Sequence, residues 1–366
     1  MQWLPAQLQE ALSKGVIGQD EATREIAVAL TKHLNGAGSG NLLLIGASGT
    51  GKTTLMRRVE QVLERAAKPE ERPLVVRMNA AVLADEEASR TGGHVILRAL
   101  FERAKDALGS EASVEDLVAA VERSVVFIDE IDKIRSEIGG RANPGGIRAQ
   151  EALLTLMEAE SVLMEVTVHG ATREVVVRSE NILFVAGGAF EGLHEIVYER
   201  VTVGRDAGTL EKQTVMTPWG EIVERERFEL RALWKTEDLF AYGISPQFLG
   251  RFEGIVFLND LSEPALRKIL LDVPDSVFQA SRNYFRTFGV DLQITPKARD
   301  ILCAKARENP RLGARALRTL YKRVIASYEF EPDKLPLREG PEEGDLPIFV
   351  LDDTLVMEAL GLQPQA

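Results

Sequence analysis

Short apolar runs alternate with longer amphipathic stretches over most of the chain. Residues 54–67 and 147–160 have the apolar spacing of helices. The runs with the length and composition of buried strands are 41–46, 73–79, 124–130 and 181–190. Strands that are apolar along their whole length and alternate with helices are typical of a parallel sheet covered on both faces. The pattern therefore predicts an α/β domain.

Two segments interrupt this alternation, and both have the pattern of a β-hairpin. Segment 162–178 has strand-like flanks about a turn that contains His169 and Gly170, and segment 214–225 repeats the pattern around Trp219. Trp219 is a candidate exposed contact at a hairpin tip. Packing of its ring back onto its own hairpin is the alternative.

The pattern changes after residue 258. Amphipathic helices are predicted over 261–271, 295–309 and 313–330, and the first two open with Ser or Thr near a Pro. A connection rich in Pro and acidic residues then leads to one apolar strand at 347–352. We therefore expect two domains, an α/β domain over 1–258 that includes both hairpins, and a smaller, mainly helical domain over 259–366.

Composition excludes several classes of protein. The 366 residues carry 56 acidic and 44 basic side chains, a net charge of −12, which disfavours binding to nucleic acid or anionic membranes. A single cysteine, Cys303, and four scattered histidines leave no disulfide and no Cys- or His-rich metal site. No apolar run approaches the roughly 18 residues that span a bilayer, and the start lacks a secretory pattern. We expect a cytoplasmic protein in which Cys303 is a buried helix thiol.

The sequence Gly46-Ala-Ser-Gly-Thr-Gly51-Lys52-Thr53 fits the phosphate-binding pattern G-x-x-x-x-G-K-[ST]. Its glycines let successive backbone N–H groups point at phosphate oxygens, and the helix that follows directs its positive end to the same place. Lys52 would reach the β- and γ-phosphates of ATP, and the Thr53 hydroxyl would bind Mg²⁺. The predicted nucleotide-binding residues are Ser48, Gly49, Thr50, Gly51, Lys52, Thr53 and Thr54.

A strongly apolar strand ends on two carboxylates, Asp129 and Glu130. Ligands of open α/β sheets bind at the carboxyl ends of the strands, so both side chains would face the nucleotide. Asp129 would hold Mg²⁺ through its water shell, and Glu130 would act as the general base toward the attacking water. An acidic surface turn is the alternative. Together with Lys52, this pair predicts ATP hydrolysis.

Several stretches, in order along most of the chain, resemble the AAA+ ATPases of the Clp/Hsl type, most of all ClpX and at some positions HslU. They are the phosphate loop and residues 16–33, 125–134, 150–160, 182–190, 243–252 and 311–320. The resemblance implies a P-loop AAA+ domain, with a parallel sheet sandwiched by helices, and a small helical domain that senses the nucleotide. It also implies a homo-oligomeric ring, usually a hexamer, with ATP and Mg²⁺ between subunits.

By matching position, the resemblance implies roles for four further residues. Val16 and Ile17 would line the adenine pocket. Arg251 would be an arginine finger that reaches the γ-phosphate on a neighbouring subunit, and Arg315 would be the second nucleotide sensor. The planar guanidinium suits both tasks. A surface ion pair is the alternative for Arg251, and Arg315 is otherwise one of several cations near that helix.

The sequence departs from the family at the loop that grips polypeptide in the ring. Its counterpart is 84–94, and no Phe, Tyr or Trp lies between Val82 and Leu100. His94 would be the only substitute for the usual aromatic handle, and an ordinary surface loop is the alternative. Loop 138–148 matches by position the family's other loop of the central channel, and Arg141 and Arg148 give it a positive character. A solvated linker is the alternative for this loop.

Three further departures from the family concern the binding partners and the rate of ATP hydrolysis. A chain with one cysteine cannot contain the zinc-binding domain of ClpX. The region 203–232 has no Ile-Gly-Phe-type tripeptide, which argues against coupling to a ClpP-type peptidase. The first sensor is expected near 185–188, where no side chain is polar, which predicts slow hydrolysis.

The leading hypothesis is an ATP-hydrolysing, ClpX-like ring protein that remodels or unfolds a protein partner. One alternative is an assembly or scaffold protein that nucleotide controls and that threads no polypeptide. A DNA-associated motor is the other, and the net charge of −12 counts against it. The expected partners are further copies of the chain and a protein substrate, with no membrane and no nucleic acid.

Overall fold

The computed structural model describes residues 4–38, 40–66, 72–84, 94–109, 111–158, 161–168, 170–203, 210–216, 222–226, 228–273, 276–309, 312–339 and 346–362. These residues form two compact units. The first contains the described residues of 1–46, 52–209 and 228–258, and the second contains those of 47–51, 210–227 and 259–366. Two short segments that precede residue 258 thus belong to the second unit.

The helices of the first unit are α1 (Pro5–Ser13), α2 (Asp20–Leu34), α3 (Lys52–Ala66), α4 (His94–Leu108), α5 (Val114–Glu122), α6 (Pro144–Glu158), α7 (Leu193–Thr202), α8 (Leu230–Leu233), α9 (Thr236–Tyr242) and α10 (Pro246–Leu249). Those of the second unit are α11 (Glu263–Leu271), α12 (Val277–Arg286), α13 (Pro296–Arg307), α14 (Ala314–Phe330) and α15 (Asp353–Leu360). Side-chain caps set several of these starts. Ser262 caps the start of α11 and Thr295 caps the start of α13, and a proline follows each cap in the first turn.

The strands, in chain order, are β1 (Leu42–Ile45), β2 (Val75–Asn79), β3 (Val125–Asp129), β4 (Glu137–Ile138), β5 (Arg141–Ala142), β6 (Val162–Val168), β7 (Ala171–Val177), β8 (Leu183–Gly188), β9 (Lys212–Met216), β10 (Ile222–Glu226), β11 (Gly254–Phe257), β12 (Asp291–Ile294), β13 (Leu337–Arg338) and β14 (Ile348–Leu351). The first unit has a five-stranded sheet in the order β11-β1-β8-β3-β2, with all neighbours parallel. The second unit has a three-stranded sheet in the order β12-β14-β13.

Both faces of the large sheet are buried. Leu44, Phe127 and Val185 belong to a core cluster with apolar residues of α1, α2 and α3. Residues that alternate with them, such as Leu43 and Val126, are equally buried on the opposite face. The predicted fold class is therefore confirmed: a parallel sheet sandwiched by helices, accompanied by a second, mainly helical unit.

The edge strand β11 was not predicted. It has only four residues and begins with Gly254, a weak strand former. A Cβ atom at this position would lie 2.8 Å from Leu42 Cδ2, so glycine permits β11 to approach β1 closely. The predicted C-terminal strand is present as β14, but β12 and the two-residue strand β13, which pair on either side of it, were not predicted.

Segment 138–148 is an ordered connection rather than a plain loop. Residues of β4 and β5 pair across Gly139 and Gly140, whose φ angles of 58° and 74° are those of a primed turn. The first helical turns of α6 follow directly. Arg141 and Arg148 are both exposed.

Two longer antiparallel hairpins are present. In the first unit β6 pairs with β7 from Val162↔Val177 to Val168↔Ala171. In the second unit β9 pairs with β10. His169 and Trp219, the predicted turn residues, lie outside the described residues. Within the described ranges, no helix is both long and apolar enough to cross a membrane.

Candidate active site

Two of the predicted site residues, Lys52 and Asp129, follow or end strands of the large sheet at its carboxyl edge. Lys52 begins α3 soon after β1 ends, and Asp129 is the last residue of β3. Both strands pair with β8 in parallel, so their carboxyl ends meet at one edge, where open α/β sheets bind ligands.

The two predicted Mg²⁺ ligands are adjacent. The Thr53 hydroxyl donates a hydrogen bond to Asp129 Oδ2 at 3.0 Å. Among the described residues, no group of three His, Cys, Asp or Glu side chains could hold a metal ion. Mg²⁺ needs fewer protein ligands when it is bound with a nucleotide, since water and phosphate oxygens complete its shell. A hydroxyl beside a carboxylate fits that requirement.

The Lys52 ammonium group is held inside the protein. Lys52 is 8% exposed, and its Nζ donates to the carbonyl oxygen of Gly46, at the start of the phosphate loop. The cation is therefore fixed by the backbone that leads into the loop, where it can meet a phosphate oxygen.

The rest of the loop belongs to the second unit. Thr50 is 1% exposed and donates to Ala47 O at 2.8 Å, while Gly49 and Gly51 have φ angles of 78° and 110°. These angles are in the region that favours glycine, which explains the glycines of the motif.

The start of α14 packs on the same loop. The Ala314 N–H donates to Gly49 O at 3.2 Å, and a Cβ on Gly49 would lie 2.4 Å from Leu312 O. Arg315, the predicted second sensor, is exposed in the first turn of α14. Its role stays a prediction.

Glu130 has a defined orientation. Its φ angle of 57° is unusual for a residue with a side chain and costs about 1–3 kcal/mol, a strain found mostly at functional sites. Asn79 Nδ2 donates to Glu130 Oε2 at 2.8 Å, and the Ala81 N–H donates to Asn79 Oδ1 at 2.8 Å. Asn79 was missed in the sequence; its one signal is its position at the end of β2, in register with Asp129.

Strand β8, where the first sensor was expected, has no room for a larger side chain at Gly187 or Gly188. A Cβ on Gly187 would lie 3.0 Å from Met56 Cε, and one on Gly188 would lie 2.6 Å from Asp132 Oδ1. Asp132 is 5% exposed and accepts from the Ala189 N–H at 3.1 Å. Close packing by α3 and Asp132 thus accounts for the small residues where a polar sensor was sought.

Asp132 also influences a neighbouring tyrosine. Burial, together with the charge of the Asp132 carboxylate, raises the pKa of Tyr242 to about 12. Tyr242 therefore stays neutral throughout the physiological range. This buried carboxylate was not predicted to be part of the site.

Arg251, the predicted arginine finger, forms an ion pair within its own chain. Its guanidinium contacts the carboxylate of Glu158, the last residue of α6, and the two side chains are 41% and 40% exposed. The ion pair that was the alternative for Arg251 is thus present in the single chain. Whether Arg251 also reaches a neighbour's nucleotide stays a prediction.

The remaining predicted positions divide between core and undescribed segments. Val16 is 4% exposed and belongs to the core cluster with α1, α2 and α3, whereas Ile17 keeps some surface. Their role at adenine stays a prediction. Most of loop 84–94 lies outside the described residues, and His94 begins α4.

A parallel sheet with a buried lysine and a hydroxyl–carboxylate pair at its carboxyl edge, in a chain with the sequence motif G-x-x-x-x-G-K-[ST], defines a P-loop nucleotide-binding protein. The family profile of the AAA domain (Cdc48 subfamily) matches residues 38–255, and the chain belongs to this family. It is a ClpX-like AAA+ ATPase.

Curated relatives support this assignment. The chain is 29% identical over 353 residues to the ATP-dependent Clp protease ATP-binding subunit ClpX of Bacteroides fragilis, covering 89% of this chain and 76% of the relative. It is 28% identical to ClpX of Azotobacter vinelandii, with 92% and 76% covered. It is 30% identical to ClpX 3 of Methylococcus capsulatus, with 95% and 79% covered.

Proposed function

We propose that the chain forms a ring of identical subunits, of the hexameric type, which uses ATP hydrolysis to remodel or unfold a protein partner in the cytoplasm. One observation carries the proposal: Thr53, Asp129, Glu130 and Asn79 are linked by hydrogen bonds at the carboxyl edge of the sheet. A protein that only bound nucleotide would have no need for an oriented, strained glutamate beside that pair.

The residues divide the hydrolysis between them. Lys52 and the N–H groups of the phosphate loop bind the β- and γ-phosphates of ATP. Mg²⁺, bound with the nucleotide by Thr53 and Asp129, would neutralise charge on the phosphates. Asn79 engages Oε2 of Glu130, which leaves Oε1 to accept a proton from the attacking water. The water oxygen bonds to the γ-phosphorus while the bond to the bridging oxygen of ADP breaks.

Two arginines would link this chemistry to assembly. Arg251 would leave Glu158 and place its guanidinium on the γ-phosphate of a neighbouring subunit, and Arg315 would contact the phosphates from the small helical part. Head-to-tail contacts of this kind close into rings. Hydrolysis would then need at least two adjacent subunits.

A ring that binds ATP but hydrolyses it very slowly tests whether the ATP-bound ring holds polypeptide. Glu130→Gln should bind ATP and hydrolyse it very slowly, so the tagged variant held in ATP is recovered from lysate and washed with salt. The double variant Lys52→Ala/Glu130→Gln, which should not bind ATP, is the control. We expect diverse polypeptides to be captured only by the single variant and to be released when ATP is removed. Capture that is equal in the control contradicts the proposal.

The absence of an aromatic residue between Val82 and Leu100 favours a second candidate, a scaffold whose ring is closed by ATP without threading. Gripping a chain without sequence preference needs bulky side chains, and this loop lacks them. The same experiment separates the two candidates. One folded partner at fixed stoichiometry supports the scaffold, and recovery of DNA alone contradicts both.

A further inference from the structure

A buried amide on α6 has no role in the chemistry described above. Gln150 is 3% exposed. Its Nε2 donates to Ile134 O at 2.8 Å and to Gly243 O at 2.9 Å, and its Oε1 accepts from the Ser245 N–H at 2.8 Å. A single side chain thus joins three backbone groups from two separate segments.

The first of these segments follows the catalytic glutamate. Glu130 directly precedes a short 3-10 helix, Ile131–Ile134, and Ile134 is its last residue. The carbonyl that Gln150 binds therefore ends the turn that Glu130 begins.

The second segment leads to the predicted arginine finger. Ser245 caps α10, since its Oγ accepts from the Phe248 N–H at 3.3 Å. The Arg251 N–H in turn donates to Phe248 O at 3.1 Å. Gln150 therefore holds the N-terminal end of the short helix from which Arg251 extends.

Other close contacts make this junction tight. The Ser136 N–H donates to Gly243 O at 2.8 Å, and Asn143 Nδ2 donates to Arg135 O at 2.9 Å. A Cβ on Gly146, in the first turns of α6, would lie 2.4 Å from Arg135 O. Little space remains for either segment to shift relative to α6.

The same helix also holds the arginine side chain, because Glu158 at its end pairs with the Arg251 guanidinium. We propose that Gln150 is a positioning residue for the finger: it fixes the segment that carries Arg251 to the turn that follows Glu130. Each subunit would thus fix the position of the Arg251 that it offers to its neighbour relative to its own Glu130. This inference rests on the proposed role of Arg251.

Loss of the amide should disturb the finger more than it disturbs the phosphate site. The Ile134 carbonyl and the Ser245 N–H would lose the partner that Gln150 supplies, while Gly243 O would keep the Ser136 N–H. Buried polar groups that are left unpaired favour any shift that restores a hydrogen bond. A misplacement of about 1 Å at a reacting centre can cost about 10²-fold in rate. Lys52 and Thr53 make no hydrogen bond to Gln150 and should bind ATP as before.

The test uses Gln150→Met, which keeps the length of the side chain and removes its polar atoms. Glu151→Gln is the matched control, because Glu151 is the next residue of α6 and is exposed. ATP turnover, ATP affinity and thermal unfolding are measured for each. We expect Gln150→Met to bind ATP normally and to turn over at least about tenfold more slowly, and the control to match the unmodified chain.

Mixed rings separate a misplaced finger from general damage. Glu130→Gln subunits have an intact finger and an inactive site, and Arg251→Ala subunits have the reverse. If Gln150 positions the finger, Gln150→Met regains turnover when it is mixed with Glu130→Gln and stays inactive with Arg251→Ala. The opposite pattern, rescue by neither partner, or full activity of Gln150→Met alone would overturn the inference.

Two further comparisons keep the result interpretable. If Gln150→Met does not fold, Gln150→Glu replaces it, since this variant keeps an acceptor for the Ser245 N–H and loses both donors. The same rescue pattern is expected.

Arg251→Ala mixed with Glu130→Gln tests the shared site itself. If that pair shows no turnover, the proposed function fails, and this inference fails with it; if the pair is active and only the Gln150 pattern is wrong, this inference alone fails.

Discussion

The ion pair between Arg251 and Glu158 predicts that one carboxylate restrains the ATPase. If the guanidinium must leave Glu158 to reach a neighbour's γ-phosphate, then Glu158→Gln should raise the turnover rate. The substitution keeps the shape of the side chain and removes only its charge.

The structure sets the size of the effect. The two side chains are 41% and 40% exposed, so water and salt screen their attraction. Ion pairs of this kind stabilise by about 0.2–1 kcal/mol, which corresponds to about a 1.4- to 5-fold change in an equilibrium. Glu158→Gln should therefore speed turnover by no more than about 5-fold, and the gain should shrink at high salt.

The assay is steady-state release of phosphate at saturating ATP, at low and high salt. Glu151→Gln changes the same charge on the same helix and should leave the rate unchanged. Arg251→Ala/Glu158→Gln should be as slow as Arg251→Ala. A slower Glu158→Gln, an equal gain in the control, or a gain that persists without Arg251 would refute the reasoning.

Other predictions concern binding, chemistry and stability. Lys52→Ala should abolish ATP binding in a fluorescent-nucleotide titration, because the phosphates lose their buried cation; unchanged affinity would contradict its role. Glu130→Gln should bind ATP yet turn over about 10²–10⁴-fold more slowly, and wild-type turnover would exclude it as the base. Gly146→Ala should lower the midpoint of thermal unfolding more than Gly145→Ala, since a Cβ would meet Arg135 O at 2.4 Å in the first case and Ala84 O at 3.1 Å in the second. Cys303 should resist alkylation at pH 8 until the protein unfolds, because burial raises its thiol pKa to about 12; rapid labelling of the native protein would contradict this.

Local rules were enough to predict the elements that carry the phosphate chemistry. The glycines of the loop, the helix that begins at Lys52 and the apolar strand that ends at Asp129 are set by short-range pattern. Their meeting at one edge follows from parallel strand order. This is why the sequence alone predicts the α/β class and places Thr53 and Asp129 at one site.

The missed features depend on contacts between distant segments. Asn79 meets Glu130 because β2 and β3 are parallel and in register. The sequence shows that Asn79 ends a predicted strand, but it does not show which strand lies beside it. Gln150 looks like an ordinary polar residue of an amphipathic helix until Gly243 and Ser245 fold against it. Strand β11 was missed because four residues that begin with a glycine resemble a turn.

The central claim, a catalytic site shared between adjacent subunits of a ring, is tested most directly by mixing Arg251→Ala with Glu130→Gln at varied ratios and measuring ATP turnover. Each variant alone should be nearly inactive. In a head-to-tail ring each site meets one neighbour's finger, so roughly a quarter of the sites are complete at equal mixing. The account predicts turnover that rises to a maximum near the equal mixture and falls to either side. No turnover at any ratio would contradict it.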